Sequence, residues 1–169
     1  MTLMPEIEGR KSIQRFSGEP MDRQALDRIL QAGRRAPSAK NRQPWRYIAV
    51  QDQETKRKLQ NAAYGVEAVS QASAVIVACT TNIDYRMPNG QLSYPIDLTF
   101  GVSFMMLQAV HEGYGTCLNS TYDEREVKEL LTVPYSMRVV LLLLVGLADE
   151  EPVESPRKAL DRVVSYEHW

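Results

Sequence analysis

Three polar segments carry the residue types from which a binding site could be built. The first is Arg10, Lys11, Ser12, Ile13, Gln14, Arg15 and Phe16. Two adjacent cations and a hydroxyl at a helix end suit a phosphate: arginine gives a bidentate fork, lysine a point charge and serine a short donor. A solvated charged turn has the same composition. The second segment runs Ala36, Pro37, Ser38, Ala39, Lys40, Asn41, Arg42, Gln43, Pro44, Trp45. Ser38, Asn41 and Gln43 offer donors and acceptors together, which suits a heterocycle with mixed edges, such as a flavin pyrimidine, better than a simple anion. Two prolines around small polar residues also make an ordinary loop, and Trp45 alone reads as core. The third segment spans residues 113–121, with Gly113, Gly115, Cys117, Ser120 and Thr121. Its glycines allow a tight turn and close approach to a ligand. It is not a dinucleotide fingerprint, because the third glycine is missing and it follows a helix. Arg157 and Lys158 form a smaller basic pair, which reads as solvated surface.

The elements that must position these segments are legible from periodicity. Residues 21–35 read as a helix: Asp22 can cap it, and Ala25, Leu26, Ile29, Leu30 and Gly33 share one face. Pro37 ends it. Residues 45–50, 73–80 and 139–147 read as strands, rich in β-branched and apolar side chains. A polar helix is expected at 52–63 and a loop at 84–93, around Pro88, Asn89 and Gly90. The longest helix, 94–112, is apolar nearly all round, so it is buried either centrally or against a second subunit. Gly113 is a suitable left-handed terminator. Asp123 and Glu126 open a short helix carrying Val127, Leu130 and Leu131. The tail, 149–169, begins acidic and proline-containing, then carries Val163, Val164, Tyr166 and Trp169. It is expected to pack on its own core or on a neighbouring subunit. Strands and helices do not alternate strictly, so an α+β sheet covered by helices fits better than a doubly wound parallel sheet.

The chain has 169 residues and a formal net charge of −1, but residues 1–60 carry +6 and the remainder −7. The basic part suggests an anionic partner. A nucleic acid is one such partner, yet the aromatic platforms and fold motifs of nucleic-acid binders are absent. Two cysteines, Cys79 and Cys117, and two histidines, His111 and His168, show no metal-ligand spacing. They point to a reducing, cytoplasmic setting with neither metal nor disulfide framework. The longest apolar run, 139–145, is too short for a bilayer, and no signal-peptide pattern opens the chain, so no membrane association is expected. A single domain over 1–169 is the expectation. His111 reads as a cation at a helix C-terminus and Cys117 as a buried small hydrophobe.

Together the first two segments resemble the nitroreductase family of FMN enzymes. The family opens with Arg, a basic residue, Ser, an apolar residue and Arg or Lys, with Phe two positions later. A helix then ends in A-P-S-x-x-N-x-Q-P-W, which residues 36–45 match at every specified position. Similarity continues through Asp97 in the long helix, the G-x-G-T segment and a C-terminal Pro-Arg-Lys. The resemblance implies an α+β fold with a central mixed sheet flanked by helices. It also implies an intertwined homodimer with exchanged terminal segments and FMN at the subunit interface. Carried over by position, Arg10, Lys11 and Ser12 would hold the phosphate and ribityl end, with Arg157 arriving from the tail. Pro37, Ser38 and Asn41 would line the flavin, and Ser120 and Thr121 would lie near its N5. Gln14 stands where the family commonly has Arg or Lys facing flavin N1/O2. It can donate a hydrogen bond but brings no charge, which implies a lower flavin potential unless Arg15, Lys40 or Arg42 substitutes.

The implied reaction is ping-pong: NAD(P)H gives hydride to flavin N5 and leaves, then a nitroaromatic, quinone or similar acceptor takes the electrons. The cofactor carries that chemistry, so no general acid or base is assigned. Flavin-dependent dehalogenation or ring cleavage is an alternative on the same fold, and FMN storage or sensing is one outside catalysis. The +6 segment then reads as one phosphate site plus helix surface, with surplus cations that could attract an NADPH phosphate.

Overall fold

Four strands form the centre of the protein in a computed structural model that describes residues 2–153 and 155–169. They are β1 (Trp45–Val50), β2 (Ala74–Thr80), β3 (Gly115–Asn119) and β4 (Arg138–Gly146), in the order β1-β2-β4-β3. Every strand pair is antiparallel. The mixed character expected of the sheet is confined, among the described residues, to one parallel bridge between Ser12 and Thr116. Each strand expected from β-branched runs is present. β3 was expected only as a glycine-rich turn.

The sheet is buried on both faces because consecutive side chains point to opposite sides. Val75, Val77, Leu142 and Leu144 pack on one face with Leu59, Val69 and Val127. Those three come from α3 (Gln53–Ala62), α4 (Glu67–Gln71) and α6 (Glu124–Leu131). Ile76, Ala78, Leu143 and Val145 pack on the other face with Leu26, Ile29, Leu98 and Met105, from α2 (Arg23–Arg34) and α5 (Tyr94–His111). Asp22, Asp52 and Asp123 cap α2, α3 and α6 by accepting backbone N–H bonds two or three residues inside each helix. A further short helix, α1 (Pro5–Gly9), precedes the first basic segment.

α2 and α5 cross closely. A Cβ on Gly33 would lie 2.1 Å from Met105, and one on Gly101 would lie 2.1 Å from the Tyr47 hydroxyl. Arg28 on α2 grips Glu112, the residue after α5, through two hydrogen bonds of 2.7 Å each.

The apolar circumference of α5 divides in two. Leu98, Val102, Met105 and Ala109 are buried, while Ile96, Phe100 and Phe104 are 36, 45 and 40 % exposed. The tail does not pack on its own core. Val153, Leu160, Val163, Tyr166 and Trp169 are all exposed, because beyond Asp149 the chain leaves the sheet and forms only a short 3-10 turn at Leu160–Arg162. Glu154, within the acidic stretch of that tail, lies outside the described residues.

Candidate functional site

The first basic segment is fixed at the β3 edge of the sheet. α1 is tied to the end of α5 by Glu6 and His111, 2.9 Å apart, and Gly9 seats it against Val110. His111 thus sits at the helix end as expected, with a carboxylate partner. After Arg10 the chain runs extended. Ile13 N–H donates to Thr116 O at 2.9 Å, and Ser17 N–H to Leu147 O at 3.0 Å. Ile13 and Phe16 are buried, which turns the polar side chains between α1 and Ile13 outward. Arg10, Lys11 and Ser12 line a cavity of about 310 Å³, with Arg157 reaching it from the tail. All four residues expected at a phosphate therefore converge, and their donors suit a phosphate group.

Gln14 has an acidic neighbour. Its N–H donates to Glu150 Oε1 at 2.6 Å, and the Arg15 N–H donates to the same oxygen at 3.3 Å. The Arg15 guanidinium lies 3.5 Å from Glu150 Oε2. Arg15 is therefore already paired with an acid.

The second segment leads into β1, at the opposite edge. α2 stops before Pro37, and a 3-10 turn follows at Ala39–Asn41. Lys40, Asn41 and Gln43 have φ of 52°, 53° and 49°, a region that costs a non-glycine residue about 1–2 kcal/mol. Three contacts hold this conformation. Ser38 Oγ accepts from Gln43 N–H at 2.9 Å, Ala39 O accepts from Arg42 N–H at 3.1 Å, and Asp97 Oδ1 accepts from Ala39 N–H at 2.8 Å. Asp97 is only 2 % exposed, and its Oδ2 is buried without a partner among the described residues. It stands in the first turn of α5, where the helix dipole favours a carboxylate. From the sequence alone Asp97 is only a point of family similarity. The legible signal was an acid in the first turn of an otherwise apolar helix. Lys40 and Arg42 lie over the Tyr85 ring, at 5.9 and 3.8 Å from its centroid.

The third segment differs most from expectation. Gly113 does end its helix left-handed, with φ 82°. Gly115 serves close approach to Ile13, since a Cβ there would lie 2.4 Å from the Ile13 side chain. Its smallness thus seats the first basic segment. Ser120 lines a cleft of about 380 Å³ with Tyr94, Tyr122, Glu124 and Arg138. The Thr121 N–H is held by Asn119 Oδ1 at 2.7 Å. In that cleft burial works against ionisation of Glu124, but the Val139 N–H, Lys128 and Arg138 outweigh it and hold its carboxyl below the usual range. Cys117 is half-buried, not fully buried, because it sits on an edge strand beside Arg10 and Ser12. Burial raises its thiol pKa, with Glu150 adding to the shift, so it stays protonated near neutrality.

One chain does not bring the two main motifs together. Arg10, Lys11, Ser12 and Arg157 gather at β3, while Pro37, Ser38 and Asn41 precede β1, three strand spacings away. At roughly 4.8 Å per strand this separates the two edges by about 14 Å.

Comparison with known proteins gives consistent results. The profile of the Nitroreductase family matches residues 7–93 and 64–147. A protein of Thermus thermophilus named NADH dehydrogenase is 28 % identical over 92 % of this chain and 91 % of its own length. FMN reductase [NAD(P)H] of Bacillus subtilis is 24 % identical over 92 % of this chain and 69 % of its own. The crystal structure of a nitroreductase family protein from Clostridium novyi NT superposes with a TM-score of 0.80. It is 33 % identical and covers 88 % of this chain and 87 % of that one.

Proposed function

Because this chain belongs to the nitroreductase family of NAD(P)H oxidoreductases, we propose that it is an FMN-dependent homodimer passing electrons from NAD(P)H to nitroaromatic, quinone or similar acceptors by a ping-pong mechanism. The carrying observation is the convergence of Arg10, Lys11, Ser12 and Arg157 on one cavity, which Glu8 also lines. The family's FMN phosphate fits that donor set. Bound FMN would supply the electron-carrying chemistry, taking hydride at N5 and releasing electrons to the acceptor.

The protein's own residues bind, orient and exclude water. Arg10, Lys11 and Arg157 neutralise the phosphate, and Ser12 donates to it. Pro37, Ser38 and Asn41 of the partner subunit's copy of the loop would line the ring. Their position at the far sheet edge supports a site shared between two chains. Ser120 and Thr121 border the reacting edge. Since Asn119 already engages the Thr121 amide, Ser120 is the better candidate donor there.

Two exposed features support the dimer. Ile96, Phe100 and Phe104 leave an apolar stripe on α5. The outer edge of β1 borders a groove of about 620 Å³ lined by Leu30, Trp45, Tyr47 and Arg46. The tail's apolar residues find no cover in one chain, and exchange between subunits would cover tail and groove together. Both cysteines are free, which agrees with the proposed cytoplasmic setting. No helix among the described residues is long and apolar enough to cross a membrane.

The test is anaerobic mixing of the purified protein with NADH and with NADPH. Visible flavin bands that bleach with either donor and return on adding a quinone are expected. Flavin bands that neither donor bleaches would favour storage or sensing, and a protein that takes up no FMN would overturn the reading.

A further inference from the structure

The surplus cations of the first third cluster beside the proposed flavin loop. Between Leu30 and Gln51 the chain carries Arg34, Arg35, Lys40, Arg42 and Arg46 and no acidic residue. None of the five forms an ion pair among the described residues. The acid hydrogen-bonded to the loop, Asp97, is buried and directed to the Ala39 N–H.

Two of these cations are presented in a defined way. Lys40 and Arg42 bracket Asn41 and share the Tyr85 ring, with Arg42 Cζ 3.8 Å and Lys40 Nζ 5.9 Å from its centroid. Tyr85 belongs to a closed loop. Its carbonyl accepts from Ser93 N–H at 3.1 Å, Met87 N–H donates to Gln91 O at 2.8 Å, and the Arg86 guanidinium donates to Gly90 O at 2.8 Å. Stacking holds the Arg42 guanidinium by its face, which leaves the N–H edge to meet an anion. Among the described residues that guanidinium donates no hydrogen bond, although both cationic residues are exposed. The two cations, one on each side of the left-handed Asn41, both reach the same ring.

We propose that Lys40 and Arg42, presented on Tyr85, take a phosphate group of the nicotinamide dinucleotide that donates the electrons. This rests on the reading of the 37–43 loop as flavin-lining, which brings the donor beside it. Nitroaromatics and quinones carry no obligatory negative charge, whereas every nicotinamide dinucleotide is polyanionic. The two possible sources, the 2′-phosphate of NADPH and the pyrophosphate common to both donors, separate experimentally.

The test is calorimetric titration of NADP+ and NAD+ into the protein as purified, for wild type, Lys40→Asn and Arg42→Gln. Asparagine tolerates the left-handed conformation at residue 40, and both positions are exposed, so the fold is not at risk. Each variant is expected to weaken NADP+ binding by about tenfold. Raising NaCl from about 0.05 to about 0.5 M should weaken the wild type and leave a variant that combines Lys40→Asn with Arg42→Gln nearly unchanged. Loss confined to NADP+ assigns the 2′-phosphate, and equal loss with NAD+ assigns the pyrophosphate. Unchanged affinity for both dinucleotides in both variants overturns the proposal, and in a protein that retains its flavin bands it overturns this proposal alone. Absent flavin bands would instead overturn the cofactor reading, whatever the titrations give.

Discussion

Replacing Asp97 tests how the loop that lines the proposed flavin is held. Asp97→Leu keeps the branching of the buried side chain, with bulkier methyl groups in place of the oxygens, but removes the acceptor for the Ala39 N–H, a bond of 2.8 Å to a carboxylate. Hydrogen bonds to charged groups contribute about 1.5–3 kcal/mol. The loop stores opposing strain, because Lys40, Asn41 and Gln43 are left-handed, at about 1–2 kcal/mol each. Losing about 2 kcal/mol of restraint lowers the fraction of chains with the loop in place. Apparent FMN affinity falls with that fraction, by up to about thirtyfold. Asp97→Asn keeps an acceptor oxygen at the same place and removes the buried charge whose Oδ2 has no partner among the described residues. It should bind FMN within about threefold of wild type. The assay is FMN titration by quenching of free-flavin fluorescence, with amide exchange of Ala39 as the local readout. Protection of Ala39 should survive in Asp97→Asn and be lost in Asp97→Leu. Wild-type FMN affinity and wild-type Ala39 protection in a folded Asp97→Leu protein would refute the reasoning.

Other positions give further expected outcomes. Gln14→Lys adds a cation where Glu150 now gathers the Gln14 and Arg15 amides, and should raise the flavin midpoint potential by about 30 mV, equivalent to about 1.4 kcal/mol for two electrons. A potential that stays put in that variant sinks the idea. Arg28 holds the Glu112 carboxyl down at about 2, against the opposing effect of burial and with help from Gln108. A depressed folded-state value means that this stabilisation is complete above about pH 4.5 and disappears as pH falls towards 2. Thermal melts of wild type and Glu112→Gln should therefore differ at pH 7 and converge near pH 2, and a constant gap across that range would contradict the assignment.

The central strands and main helices were legible because their signals are local and repeated. Val75, Ile76 and Val77 in β2 and the Leu142–Leu144 run in β4 are buried on both faces, so sequence alone marks them. β3 was not legible. Gly115, Thr116, Cys117, Leu118 and Asn119 alternate only weakly, and the strand is defined by its pairing with β4 and by Ile13 filling the space over Gly115. α1 and α4 span five residues each, too short for a periodic pattern. Arg10, Lys11 and Ser12 were legible as side-chain chemistry, whereas Arg157, which reads as solvated surface by itself, entered only through the family resemblance. The Asp97 bond to Ala39 and the stacking on Tyr85 were not, because each joins residues about forty or more positions apart through contacts that composition does not encode. The tail was legible as apolar chain needing cover, but not as chain that finds none within one subunit.

The account depends most on a site whose two halves come from different chains. A mixed dimer tests this directly. One subunit would carry Arg10→Ala with Lys11→Ala, and its differently tagged partner Ser38→Ala with Asn41→Ala. Each variant alone should bind FMN poorly, since both of its sites lack one half. The purified heterodimer regains one site with both halves intact, so the predicted result is one FMN per dimer at near wild-type affinity. A heterodimer that binds no better than either parent would contradict the shared site.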